Sequence, residues 1–288
     1  MSIHPEVEDR IMGVPTPPDT GTATKWVTSA DGTEIAVERT GSGPPLVLVH
    51  GGATDRGFWE RADVRSALAE QCAVYAMDCR GVGESGDASV YALEREFEDV
   101  TAVVDSIDEP VTLLGHSSGS LFSLEAARRT DNLCGLLLYE PPIPLGDHAL
   151  YPEAIVDEME RLLDDDEDEQ VLVLFLEAIA DLPPEAIAAT RADPNWEHDV
   201  EVARTLPRQL RAVGEYTFDA SRVADVSTPT LLLSGSESIP LVRDATDAVA
   251  DALPDSRVVV FDGHEHEAMF TATSRFLEAV LAFVSETN

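Results

Sequence analysis

Two rhythms of apolar residues alternate along this chain. Short runs are apolar at almost every position: Leu46–His50, Ala73–Asp78, Val111–Leu114, Leu136–Glu140, Thr230–Ser234 and Val258–Phe261. Runs of that length and density fit strands with both faces covered. Between them lie longer stretches with apolar residues at helical spacing: Phe58–Leu68, Tyr91–Ile107, Val242–Leu253 and Thr271–Val284. The last places Phe276, Leu277, Val280, Leu281, Phe283 and Val284 on one inner face. Near the start, Trp26–Thr28 and Glu34–Arg39 flank Asp31-Gly32, which predicts a hairpin. Strands that alternate with helices predict an α/β fold. Its sheet has about eight mostly parallel strands, with helices on both faces.

The rhythm breaks once. From about Gly146 to Val226 no strand pattern occurs, and apolar residues recur at helical spacing, as in Ile155, Met159 and Leu162, then Val171, Leu172, Leu174 and Phe175. The stretch is too long for a simple crossover. The expected organisation is therefore a core of residues 24–145 and 226–288 interrupted by a helical insertion, 146–225. Residues 1–23 are polar and contain Pro15, Pro17 and Pro18, which predicts a loose arm.

Composition narrows the setting. In 288 residues the chain carries 55 Asp and Glu against 19 Lys and Arg, a net charge of −36. Lys25 is its one lysine. Apolar residues make up 44%, enough for a core and too many for a disordered chain. One acidic run, Asp164–Glu169, stands out, but most of the excess is spread along the chain. The surface then resembles that of proteins from salt-accumulating microbes, where a Debye length of ~3 Å at molar salt screens self-repulsion. The same field argues against nucleic acid or anionic membranes as partners. No stretch approaches the ~18 consecutive apolar residues of a membrane span. The first residues lack the basic start and apolar segment of a secretory signal. Cys72, Cys79 and Cys134 are odd in number and lack metal-ligand spacing, as expected of reduced residues in a cytoplasmic protein.

The chemistry centres on Gly115-His116-Ser117-Ser118-Gly119, which follows a buried strand and opens a helical pattern. Such a turn is tight enough to need near-bare neighbours, and it lifts Ser117 Oγ clear of the sheet edge toward a helix N-terminus. Gly51-Gly52 follows another buried strand, so the Gly52 N–H and the Ser118 N–H are the candidate oxyanion donors. His50 reads as a structural residue of that loop. After the last strand, Gly263-His264-Glu265-His266 offers two histidines, one of which can act as general base to Ser117. Histidines two apart in a loop with no third ligand are a weak metal pattern.

In order, four motifs resemble the α/β-hydrolase superfamily from residue 25 to the end: His50-Gly51-Gly52, Asp78–Ser85, Gly115–Gly119 and Gly263–His266. The acid-rich chain resembles a haloarchaeal, serine-nucleophile member with a cap domain. The resemblance implies that the final His, His266, is catalytic. It also implies that the insertion is a cap over the pocket, that no cofactor is used, and that a small molecule is the substrate. Serine at the elbow implies an acyl-enzyme, with carboxylic esters first among substrates and lactones, thioesters or a C–C bond beside a ketone as alternatives. Perhydrolase or haloperoxidase activity at the same Ser117 and a non-catalytic binding role are further options. In most of the family the acid follows the strand before the catalytic His, but here Ser238 stands at that place. A subset places the acid after the strand that follows the elbow helix, which implies Glu140. Glu237, one residue from the usual place, is the rival.

Overall fold

A computed structural model describes residues 24–146 and 149–288; the expected arm, 1–23, lies outside the described residues. Eight strands form one sheet in the order β1-β2-β4-β3-β5-β6-β7-β8. They are β1 (Thr24–Thr28), β2 (Glu34–Gly41), β3 (Pro45–Val49), β4 (Ala73–Met77), β5 (Val111–His116), β6 (Leu133–Tyr139), β7 (Thr230–Gly235) and β8 (Ser256–Phe261). β2 runs antiparallel to both of its neighbours. The strands from β3 to β8 are parallel, so their C-terminal ends share one edge.

The continuous apolar runs arise because the central strands are covered on both sides. Side chains alternate between faces along a strand. Val47, Val49, Leu113, Leu136, Leu138 and Leu232 enter one core, against α2 (Leu93–Asp105), α3 (Ser118–Ala126) and α10 (Pro240–Ala252). Leu46, Leu48, Leu114, Leu137, Leu231 and Leu233 enter the other, against α12 (Thr273–Thr287). β8 is an edge strand, and Val258 and Val260 lie exposed on it.

Two predicted helices come in pieces. The 58–68 stretch is a 3₁₀ segment, Arg56–Asp63, followed by α1 (Val64–Ala69). Asp63 breaks it with a left-handed backbone, φ 57°. The C-terminal stretch divides into α11 (Ala268–Thr271) and α12 at Ala272.

From Glu153 to Val223 the chain is helical: α4 (Glu153–Asp164), α5 (Asp168–Ala178), α6 (Pro184–Arg191), α7 (Trp196–Val202), α8 (Leu206–Gly214) and α9 (Ala220–Val223). These helices bury apolar clusters of their own, Val156, Met159, Leu162, Val171 and Leu210 in one, Leu172, Trp196, Ala203 and Leu206 in another. The acidic run turns between α4 and α5 through Asp166, φ 59°. It leaves Asp168 and Glu169 in the first turn of α5, where the helix dipole favours negative charge. Three polar side-chain contacts tie this segment to the stretches that follow β3 and β4. They are His198 Nε2 to Asp55 at 2.7 Å, Arg61 to Asp199 at 2.8 Å and Arg208 to Asp87 at 2.8 Å.

Candidate active site

Ser117 follows β5 and caps α3 with φ 52° and ψ −125°, a backbone that non-glycine residues rarely adopt. Its neighbours must fit around it. A Cβ on Gly115 would lie 2.3 Å from the Gly119 carbonyl oxygen, and one on Gly119 would lie 2.4 Å from that of His50. Both sites require glycine because the obstacle is backbone. The turn is held by Ser117 N–H donating to Tyr139 O at 2.9 Å. Ser120 Oγ donates to Gly115 O at 2.6 Å and to Tyr139 O at 3.0 Å. Ser117 itself is half-buried. Ser118 is the first residue of α3, so its N–H has no carbonyl one turn back to bond. The side of Gly52 that would carry a Cβ faces Ser118 Oγ at 3.9 Å, so the two residues expected to supply oxyanion donors are neighbours.

His266 and Glu140 meet, although 126 positions separate them. His266 Nδ1–H donates to Glu140 Oε2 at 2.5 Å. Glu140 Oε1 accepts from Gly235 N–H at 2.7 Å and from Ser234 Oγ at 2.8 Å. The carboxylate is fully buried. Burial pushes its pKa up, but the hydrogen bond and charge of His266 and the Gly235 amide outweigh that and hold it below the usual carboxylate range. Glu140 leaves β6 with φ 46°, and its N–H bonds Leu233 O at 3.2 Å.

The alternatives lie elsewhere. Glu237 is exposed and accepts from its neighbour Ser236 at 3.1 Å. Ser238 is buried; its hydroxyl approaches the Glu140 carboxylate but stops short of direct hydrogen-bond geometry. A serine there leaves room for a glutamate arriving from β6. His264 turns toward α11 and pairs with Thr271 Oγ1 at 2.9 Å. His50 Nε2 accepts from Cys79 N–H at 3.0 Å, and its Nδ1–H donates to Gly51 O at 2.8 Å. Burial lowers its pKa, so it is neutral and joins the loops after β3 and β4.

Two residues that drew no attention as sequence hold the His266 loop. Tyr139 Oη donates to Glu265 O at 3.0 Å and accepts from Ala268 N–H at 3.1 Å. His116 Nε2–H donates to His266 O at 3.2 Å, with its ring stacked on Phe58 at 4.9 Å between centroids. Burial, with His266 adding to it, drives the His116 pKa well down. His116 is a neutral strut whose ring centroid lies 4.6 Å from that of His266. Gly235 matters too, since a Cβ there would lie 2.3 Å from His264 O. The signals for these residues are a tyrosine ending a buried strand and a histidine inside the elbow motif. Neither marks a role until the strand order is known.

The family model for the alpha/beta hydrolase family matches residues 46–279. Among solved structures, the chain is similar to an alpha/beta hydrolase from Sphaerobacter thermophilus DSM 20745. The two are 33% identical with a TM-score of 0.75, over 88% of this chain and 99% of that one. An esterase from Rhodococcus sp. ECU1013 shares the fold at 24% identity and TM-score 0.73, over 92% of this chain and 99% of that one. A 2-hydroxy-6-oxononadienedioate/2-hydroxy-6-oxononatrienedioate hydrolase from Pseudomonas putida is 27% identical, covering 83% of this chain and 87% of that protein. Among the described residues, no helix is long and apolar enough to cross a membrane.

Proposed function

The chain belongs to the alpha/beta hydrolase family, and within it we propose a serine hydrolase of carboxylic esters that works through an acyl-enzyme. The observation that carries this reading is the buried Glu140–His266 hydrogen bond of 2.5 Å at the sheet edge where the Ser117 elbow stands. Ser117 Oγ attacks the ester carbonyl carbon while His266 Nε2 takes its proton. Glu140 keeps the other ring proton on Nδ1 and stabilises the imidazolium. The oxyanion receives the N–H groups of Gly52 and Ser118. Collapse breaks the acyl–oxygen bond, and the alcohol leaves with the proton from His266. Water, deprotonated by His266, attacks the acyl-enzyme in turn, which releases the acid and restores Ser117. Residues 146–225 act as the cap that roofs this site, tethered by the Asp55, Arg61 and Asp87 contacts. The net charge of −36 supports a cytoplasm rich in salt as the working environment.

The likeness to the Pseudomonas putida hydrolase keeps cleavage of a C–C bond beside a ketone as a second reading. A fluorophosphonate probe tests the common ground. Wild type is expected to be labelled on Ser117 and Ser117→Ala is not; a folded wild type that stays unlabelled refutes both readings. A panel of aryl esters set against a vinylogous 1,5-diketone then separates the two.

A further inference from the structure

α8 presents Leu206, Gln209, Leu210 and Val213 inward, the i, i+3, i+4, i+7 stripe of a helix packed against apolar neighbours. Leu206, Leu210 and Val213 each enter an apolar cluster. Gln209 occupies the same stripe at 6% exposure, and its carboxamide makes no hydrogen bond to another described residue. The amide itself is not sealed from solvent, so water satisfies it in the open site, and a leucine or methionine would fill the stripe without that requirement.

The carboxamide is aimed at the oxyanion site. A Cβ on Gly52 would meet Gln209 Oε1 at 2.9 Å and Leu206 Cδ2 at 3.2 Å. Standard backbone dimensions then place Oε1 within about 5.5 Å of the Gly52 nitrogen. A buried polar atom without a partner, Ser118 Oγ, lies 3.9 Å from the same point. Two unpaired polar side chains thus converge on the space beside the carbonyl that Gly52 and Ser118 would polarise. Leu206 closes that space on its apolar side.

We propose that Gln209 is a specificity-determining residue that reads a polar substituent on the carbon next to the scissile carbonyl, so that preferred substrates are 2-hydroxy or 2-oxo acyl esters. The carboxamide suits this task because it accepts from a hydroxyl and donates to a keto oxygen. A substituent on that carbon is the part of an acyl group that comes nearest to the oxyanion site. A plain acyl chain leaves both Gln209 and Ser118 unpaired in the closed site, which discriminates against it.

This inference rests on the serine-hydrolase reading. The test compares phenyl 2-hydroxybutanoate with phenyl 2-methylbutanoate, in which a methyl replaces the hydroxyl at similar volume. Wild type is expected to favour the hydroxy ester in kcat/KM by about tenfold or more. In Gln209→Met and Gln209→Leu that ratio is expected to fall toward one, with the loss on the hydroxy ester; two variants guard against one that misfolds. Equal rates for the two esters in wild type, or a preference that survives in a folded variant, overturn the inference. So does an equal loss on both esters, which would mean that Gln209 assists the oxyanion itself. A wild type that is labelled on Ser117 and cleaves neither ester also overturns it. A wild type that is neither labelled nor active shows instead that the serine-hydrolase reading has failed, and the inference with it.

Discussion

Replacing Glu140 with glutamine is the most demanding test of the proposed triad, because the swap keeps the shape and removes one charge. The carboxylate accepts three hydrogen bonds, from His266 at 2.5 Å, Gly235 at 2.7 Å and Ser234 at 2.8 Å, and has no exposed surface for water to reach. A glutamine oxygen can serve His266 or Gly235, not both. If it faces His266, the amide NH₂ meets the Gly235 N–H, donor against donor in a dry site, a cost of about 1–3 kcal/mol. If it faces Gly235, the NH₂ meets His266 Nδ1 and drives the ring proton to Nε2, where it blocks the base. Either way the imidazolium of the transition state loses its counter-charge. The expected fall in kcat is about 10³–10⁴-fold, or roughly 4–5.5 kcal/mol of barrier. KM should move far less, because that charge develops only on the way to the transition state. Stability follows the same linkage. A carboxyl held below its ordinary range contributes fully above that range and loses the contribution as pH falls through its depressed value. Glu140→Gln should therefore be less stable than wild type at neutral pH, and the gap should close in acid. The assay is aryl ester turnover in molar KCl, with thermal melts to show that the variant is folded. A folded Glu140→Gln with kcat within about tenfold of wild type refutes the reasoning, most sharply if Glu237→Gln is the variant that loses activity.

Three further outcomes are expected. His266→Ala should lose several orders of magnitude in turnover while His264→Ala, whose ring bonds Thr271, keeps a measurable fraction; the reverse order would move the base two residues along the loop. Glu96 is buried on α2, where burial and then the charge of Asp99 push its pKa from 4.5 up to about 8. The folded state therefore holds a proton that the unfolded state has lost, stability falls as pH rises from about 4.5 to 8, and Glu96→Gln should melt higher than wild type at pH 9 but not at pH 5. Equal pH profiles for the two proteins would contradict this. Finally, the net charge of −36 makes self-repulsion strongest when the Debye length is ~10 Å, in ~0.1 M salt, and weakest at ~3 Å in molar salt. The melting temperature should rise with KCl, and a flat or falling curve would refute adaptation to salt.

Much of this molecule is legible in its sequence because burial on both faces writes a continuous apolar run. Leu46–Val49 and Leu136–Tyr139 can hardly be anything but central strands, and their alternation with helices dictates a parallel sheet. The elbow is partly local: Gly115 must clear Gly119 across the turn, while Gly119 must clear Val49 and His50 at the end of the neighbouring strand β3. What local pattern could not supply is any contact set by strand order. Glu140 lies 126 positions from His266, and only the adjacency of β6 to β7 and the approach of the loop after β8 bring the two together. As sequence, Glu140 and Glu237 are rival acids, and Ser238 marks the place where the family's acid is usual. As structure, one is buried on the imidazole, one faces solvent, and one leaves room for the first. The same holds for Tyr139, His116 and Gln209, whose neighbours come from the His266 loop, the start of α11 or the glycine loop after β3. Periodicity reports whether a side chain is buried. Only the packed fold decides which distant group it is buried against, and the chemistry of this site lies in those pairings.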